Sequence, residues 1–189
     1  MEIMRLIVTG AAGVGKTSLV RSVSDINVIE TGRQSTLQKP LANEKTTIAI
    51  VYGRVNFRPD MALHLYGTPG QVRYDFIWDL LICRAHACIV LVAANRPGDF
   101  RHVSRLLAFI NARVKIPIVI GITHADSPTA WSTEDIMIAL GYANHKKRPM
   151  TVEVNPTQKA SVANVLKAVV KQFYSQETAS IGRNQLIAA

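Results

Sequence analysis

Short apolar runs alternate with amphipathic segments along the whole chain. Six runs have the length and β-branched content of strands, and five segments have the three-to-four-residue spacing of helices. The predicted strands are Met4–Thr9, Thr47–Asn56, Ala62–Tyr66, His86–Ala93, Pro117–Ile122 and Met150–Val154. The predicted helices are Lys16–Asp25, Val72–Ile82, Phe100–Val114, Thr133–Leu140 and Ser161–Tyr174. This alternation predicts an α/β fold in which helices cover both faces of a mostly parallel sheet.

Three segments outside these elements refine the picture. The polar connection Phe57–Met61 is short and predicts a hairpin, and hence one antiparallel edge strand. By contrast, Asn27–Lys45 is long, polar and without periodicity, and such loops in compact domains tend to be functional. Residues 176–189 follow the last periodic helix, so we expect one domain over residues 1–175 and a flexible C-terminal tail.

The connection between the first strand and the first helix carries the strongest motif. Gly10–Thr17 fits the phosphate-binding pattern GxxxxGK[ST]. Glycines let consecutive backbone N–H groups turn inward around phosphates, and the helix N-terminus adds positive potential. Lys16 is predicted to reach the β- and γ-phosphates and to act in catalysis, and the Thr17 hydroxyl is predicted to ligate Mg²⁺. The nucleotide-binding residues predicted here are Gly10, Ala11, Ala12, Gly13, Val14, Gly15, Lys16, Thr17 and Ser18. The expected fold is therefore a P-loop NTPase three-layer sandwich.

The composition does not indicate a membrane or secreted protein. In 189 residues no apolar run approaches the roughly 18 of a membrane span, and the N-terminus lacks a signal-peptide layout. Glu2 stands where myristoylation needs glycine, and Leu186–Ala189 offers no cysteine for a lipid. We expect a cytoplasmic protein without a direct lipid anchor, whose membrane contacts would go through a partner. Cys83 and Cys88, flanked by apolar residues, are expected to be core thiols.

The net charge of +9 is the one unusual feature of the composition. Much of it comes from His145–Arg148 and from Arg101, Arg105, Arg113 and Lys115. No aromatic residues interleave these charges, as they do on surfaces that stack nucleic-acid bases. Solvated faces are the simpler interpretation and nucleic acid is not an expected partner, while an acidic protein surface or anionic lipid is the alternative.

The segment after the third predicted strand resembles the second switch of a Ras-like small GTPase. It reads Tyr66-Gly67-Thr68-Pro69-Gly70-Gln71-Val72 and is similar to the segment in prokaryotic gliding-motility and roadblock-associated small GTPases. The order of motifs agrees over residues 3–174. The resemblance implies that Gly70 donates its N–H to the γ-phosphate and that Gln71 orients the attacking water. The family's aspartate is Gly67 here, so its water-mediated Mg²⁺ contact is expected to be absent. Either metal binding is weaker or another carboxylate substitutes.

The first switch of the family has a threonine before its second strand, where this chain has Thr46-Thr47-Ile48. The resemblance implies Thr47 as the second protein ligand of Mg²⁺. The alternative is that the threonine pair only opens a strand. Arg33, in the preceding loop, is a candidate intrinsic arginine finger or a solvated loop residue.

Two segments align with the base-reading motifs of the family. In Thr123-His124-Ala125-Asp126, the Asp126 carboxylate would accept hydrogen bonds from guanine N1–H and the 2-amino group. His124 replaces the usual lysine. Asn155, Pro156 and Thr157 align with the loop whose backbone N–H meets guanine O6, and because Pro156 has no N–H, Asn155 or Thr157 would supply the contact or base selectivity would relax. Plain turns are the alternative for both segments.

Tyr74 and Trp78 lie four residues apart on the predicted second-switch helix, and Ile77 and Leu81 share another face. Either both pairs pack into the core, or the aromatic pair is a docking patch for a partner.

These features predict a guanine-nucleotide-dependent switch that binds GTP with Mg²⁺ and hydrolyses it slowly to GDP. Its expected partners are protein effectors and a GTPase-activating protein, which the resemblance suggests is a roadblock-domain protein. Two alternatives remain. One is a nucleotide-binding scaffold with little turnover, and the other is a P-loop ATPase or kinase, for which no Walker-B-like carboxylate is found.

Overall fold

A seven-stranded sheet with helices on both faces forms the part of the chain that the computed structural model describes, which is residues 1–31, 50–69, 81–144 and 148–187. The strands are β1 (Glu2–Gly10), β2 (Ile29–Thr31), β3 (Ile50–Arg58), β4 (Met61–Gly67), β5 (Ala87–Ala93), β6 (Ile118–Thr123) and β7 (Met150–Glu153). The helices are α1 (Lys16–Val23), α2 (Phe100–Arg113), α3 (Thr133–Ala139) and α4 (Lys159–Ile187), with a 3₁₀ turn at Pro97–Asp99 before α2. The predicted α/β sandwich is confirmed.

The strand order is β2-β3-β4-β1-β5-β6-β7. β1 pairs in parallel with β4 and β5, and the parallel pairing continues through β6 to β7. β3 pairs antiparallel with both β4 and β2. Two details of the prediction were wrong. The segment predicted as a loop contains a strand, β2, which forms the edge of the sheet. The antiparallel strand β3 is therefore second from the edge and not at the edge itself. β2 has only three residues, and its strand character comes from pairing with β3, where Ile29 lies opposite Tyr52.

Two hydrophobic cores lie on opposite faces of the sheet. Alternate residues of β1 face opposite sides, so Leu6 and Val8 join the core beneath α1 and α4, whereas Ile7 joins the core beneath α2 and α3. β5 is buried along its whole length, as expected for a strand covered on both faces. The last helix packs onto the sheet through four residues that are at most 2% exposed, Val162, Val165, Leu166 and Val169.

The C-terminal segment and the cysteines differ from the sequence-based expectation. The last helix, predicted to end at Tyr174, continues to Ile187, so most of the predicted tail has a helical backbone. Both cysteines are free, but only Cys88 is buried, and Cys83 is exposed because it lies in the turn before β5. Among the described helices, none is both long enough and apolar enough to cross a membrane.

Several predicted features lie outside the described residues. They include most of the predicted helix Val72–Ile82, although Leu81 and Ile82 are helical. They also include His145–Lys147 of the basic segment. Its last residue, Arg148, is held in place by two hydrogen bonds to the Glu134 carboxylate at 2.5 and 2.7 Å.

Candidate functional site

The segments that carry most of the predicted site follow β1, β4, β6 and β7. These strands and β5 are parallel, so their carboxyl ends meet at one edge of the sheet. Ligands of open α/β sheets bind in the crevice at that edge. The topology therefore brings together residues that are far apart in sequence.

The phosphate loop runs from the end of β1 to the start of α1. Gly10, Gly13 and Gly15 have backbone φ angles of 136°, 73° and 97°, which residues other than glycine rarely adopt. Gly15 is the N-cap of α1, and its carbonyl accepts the first helical hydrogen bond from the Leu19 N–H at 2.8 Å. The loop thus has the backbone form of an anion-binding turn at a helix N-terminus.

Lys16 folds back over this loop. Its Nζ donates to the carbonyl oxygens of Gly10 at 3.0 Å and Ala11 at 2.6 Å. Burial, followed by the nearby positive charge of Arg96, lowers the pKa of Lys16 to about 8, while the Asp99 carboxylate opposes this shift. A bound phosphate would favour the charged form, because an anion close to the ammonium raises its pKa.

The position of the missing aspartate is closely packed. A Cβ at Gly67 would lie 3.3 Å from Val51 Cβ and 3.6 Å from the Val51 carbonyl oxygen. The next residue, Thr68, is buried and is tied to β1 by hydrogen bonds to Thr9 Oγ1 at 3.1 Å and to the Val8 carbonyl at 2.9 Å. The described residues contain no cluster of three or more His, Cys, Asp or Glu side chains suited to a metal ion.

Thr17 is the second residue of α1 and is half-buried at the helix end that faces the loop. Mg²⁺ bound with a nucleotide is held largely by phosphates and waters, and in a phosphate loop the Ser or Thr hydroxyl supplies a protein ligand. A single hydroxyl beside a phosphate loop fits that requirement without a carboxylate at Gly67.

The segment after β6 places Thr123 in the core and the residues beyond it at the surface. Thr123 Oγ1 donates to the Val92 carbonyl at 3.4 Å, and the Thr123 carbonyl accepts from the Ala94 N–H at 2.8 Å. His124 has a left-handed φ of 56°, and both His124 and Asp126 are exposed. The turn therefore presents both side chains to solvent at the site edge.

Two backbone N–H groups of the segment after β7 donate hydrogen bonds to nearby side chains. The Asn155 N–H donates to Ser161 Oγ at 3.0 Å, and the Thr157 N–H donates to Asn155 Oδ1 at 3.1 Å. Both N–H groups expected to meet a base are thus already hydrogen bonded. Pro156 packs against the phosphate loop, because a Cβ at Gly15 would lie 2.5 Å from Pro156 Cγ.

Arg96, which sequence reasoning missed, also lies against the phosphate loop. Its Nη2 donates to the Ala12 carbonyl at 2.5 Å and lies 3.1 Å from Asp99 Oδ2. The one signal in the sequence was its position just after the buried strand β5. Thr47, Gly70 and Gln71 lie outside the described residues, as do Arg33, Tyr74 and Trp78.

The fold and the loop are those of the P-loop nucleotide-binding proteins. A family model described as the Ras family matches residues 5–175, and the chain belongs to that family. It is also similar to a protein of Methanocaldococcus jannaschii named Uncharacterized protein MJ1339, with 27% identity over 124 residues, which is 65% of this chain and 71% of that protein. Members of the Ras family are GTP-binding, switch-type small GTPases that generally use Mg²⁺ with GTP or GDP and interact with effectors and GTPase-activating proteins.

Proposed function

We propose that this protein is a guanine-nucleotide-dependent switch that binds GTP with Mg²⁺ and hydrolyses it slowly to GDP. The phosphate loop carries the proposal, because its three left-handed glycines and the inward-folded Lys16 prepare an anion site at the start of α1. Lys16 would hold the β- and γ-phosphates. Backbone N–H groups of the loop from Gly10 to Ser18 would surround them.

Mg²⁺ would be held by Thr17 and by Thr47 from the first switch, with waters and phosphate oxygens completing its shell. When bound, the ion neutralises phosphate charge. Gly67 offers no carboxylate, and a Cβ there would already be in tight contact with Val51 at 3.3 Å, so we infer that the ion depends on hydroxyls, waters and phosphates.

Hydrolysis would depend on Gln71 to orient the attacking water and on Gly70 to meet the γ-phosphate. Such reactions rely on positioning and electrostatics, so a single misplaced group slows them strongly. We therefore infer slow turnover in the absence of a GTPase-activating partner.

Base recognition would depend on Asp126, with His124 lying over the base and Thr123 supporting the turn from the core. The loop at Asn155, Pro156 and Thr157 would contribute shape rather than an N–H donor, because the two available N–H groups are engaged. We infer that guanine is selected through its N1–H and 2-amino groups, with weaker discrimination at O6. Asp126→Asn should therefore weaken GDP binding more than it weakens ADP binding.

The output would be protein binding through the two switches. By its resemblance to prokaryotic gliding-motility and roadblock-associated GTPases, we infer that the activating partner is a roadblock-domain protein. We also infer that the protein acts in the cytoplasm.

Gln71→Leu tests the assigned hydrolysis. The variant should keep GTP affinity and lose most of its turnover, both alone and with an activating partner, in a phosphate-release assay. Asn56→Leu, far from the site edge at the other end of the hairpin, is the matched control and should hydrolyse GTP at the wild-type rate. Unchanged turnover of Gln71→Leu would remove this residue from its role.

A nucleotide-binding scaffold with little turnover is the second candidate. The glycine at position 67 favours this scaffold, because it supplies no carboxylate near the metal. A single-turnover experiment with pre-bound GTP separates the two candidates. GTP that stays intact over hours, with any activating partner, would favour the scaffold.

A further inference from the structure

Arg96 reaches from the end of β5 to the phosphate loop. Its Nη2 hydrogen bonds to the Ala12 carbonyl, and its Nη1 would lie 3.3 Å from a Cβ at Gly13. The two contacted residues are 84 and 83 positions away in sequence, so only the pairing of β1 with β5 brings the guanidinium here.

Asp99 holds the guanidinium in this position. The 3₁₀ turn closes when the Asp99 N–H donates to the Arg96 carbonyl at 3.0 Å, and this places the carboxylate 3.1 Å from Nη2. The two side chains are each 34% exposed, so the pair is partly shielded from water. Nη2 makes both contacts, a hydrogen bond to the Ala12 carbonyl and an ion pair with the Asp99 carboxylate, so the position suits a charged side chain that also donates.

The contact fixes the direction of one N–H group. The peptide between Ala12 and Gly13 is planar and trans, so its carbonyl and its N–H point in opposite directions. Since the Ala12 carbonyl points to Arg96, the Gly13 N–H points away from Arg96. Without a partner for the carbonyl, this peptide could rotate easily, because Gly13, with a φ of 73°, has no side chain to restrict its backbone.

We propose that Arg96 is a positioning residue of the nucleotide site, which holds the Ala12–Gly13 peptide so that the Gly13 N–H faces a phosphate of the bound nucleotide. Asp99 secures Arg96 in that role. The inference rests on the proposed function, since it requires that the loop binds a nucleoside di- or triphosphate. The guanidinium itself acts through the loop and does not touch the reacting atoms.

The test compares the wild-type chain with Arg96→Ala, Arg96→Lys and the control Arg101→Ala, an exposed arginine of α2 five residues away. Loss of a charge-assisted hydrogen bond to the loop should weaken GDP binding about tenfold and raise the KM for GTP by a similar factor. The effect on kcat should be smaller. Arg96→Lys should recover part of the affinity, because an ammonium can still donate to the Ala12 carbonyl.

The outcomes separate the inference from the proposed function. If the wild-type chain binds neither GDP nor GTP, the proposed function fails. If the wild-type chain binds and Arg96→Ala binds GDP equally well, only the role of Arg96 fails. A loss in kcat without a loss in affinity in Arg96→Lys would make Arg96 a catalytic residue and overturn the positioning role.

A second variant covers poor folding of Arg96→Ala. Asp99→Asn keeps the size of the side chain and removes its charge, and it should weaken GDP binding about threefold. Wild-type affinity in Asp99→Asn, together with a misfolded Arg96→Ala by circular dichroism, would also overturn the proposal.

Discussion

Replacement of Gly10 by alanine is the sharpest test of the phosphate-loop geometry. An added Cβ would lie 2.3 Å from the Leu91 carbonyl oxygen and 3.1 Å from Val14 Cγ2. The nearest of these atoms belongs to the backbone of β5, which is paired with the central strand β1, so it cannot rotate away. Gly10 also has a φ of 136°, which disfavours any side chain.

The expected cost has two parts. A side chain at this φ costs about 1–3 kcal/mol, and the movement needed to relieve the contact costs about another 1–3 kcal/mol. Gly10→Ala should therefore lower the free energy of unfolding by about 2–6 kcal/mol, a large fraction of the stability of a typical domain.

Urea unfolding followed by circular dichroism measures this loss. Gly98→Ala is the matched control, because a Cβ there meets nothing within 4 Å, and its change should stay below about 1 kcal/mol. If Gly10→Ala unfolds within about 1 kcal/mol of the wild-type chain, the loop does not have the described geometry.

Two further predictions concern the thiols and the histidines. Cys83 is exposed and Cys88 is fully buried with its pKa raised to about 12 by burial, so an alkylating reagent should modify only Cys83 in the native chain by mass spectrometry; equal labelling of Cys88 would contradict its burial. Burial, followed by nearby arginines, lowers the pKa of His64 and of His86 below 6.5. As the pH falls below about 6.5, the two histidines therefore bind protons in the unfolded chain before they do so in the folded chain. Their contribution to the free energy of unfolding is present above that pH and is lost as the pH falls below it. Urea unfolding should show that the free energy of unfolding falls between about pH 7.5 and about pH 5.5, and that it falls less in a His64→Gln/His86→Gln double variant. An equal fall in both proteins would assign the pH dependence to other groups.

Local signals were enough to predict most of the framework. The GxxxxGK[ST] pattern depends on residues within one turn of chain, and its glycines have the left-handed backbone that the motif requires. The apolar run His86–Ala93 predicted the strand β5 for the same reason, since length and composition are local properties.

Features that depend on distant contacts escaped the sequence analysis. β2 exists because Ile29–Thr31 pairs with β3, and three residues carry no pattern of their own. The Thr157 N–H closes an Asx turn on Asn155 Oδ1, and the Asn155 N–H donates to Ser161 Oγ, so both N–H groups that the resemblance assigned to a base are engaged. Arg96 reaches Ala12 only across the β1–β5 pairing, so its place in the site required the three-dimensional structure.

Competition among GTP, GDP and ATP for the purified chain, in the presence of Mg²⁺, tests whether the protein is a guanine-nucleotide switch. The proposed switch should bind GDP and GTP far more tightly than ATP, and Lys16→Ala should abolish binding of all three, because it removes the cation that holds the phosphates. A preference for ATP, or micromolar affinity retained by Lys16→Ala, would contradict the account.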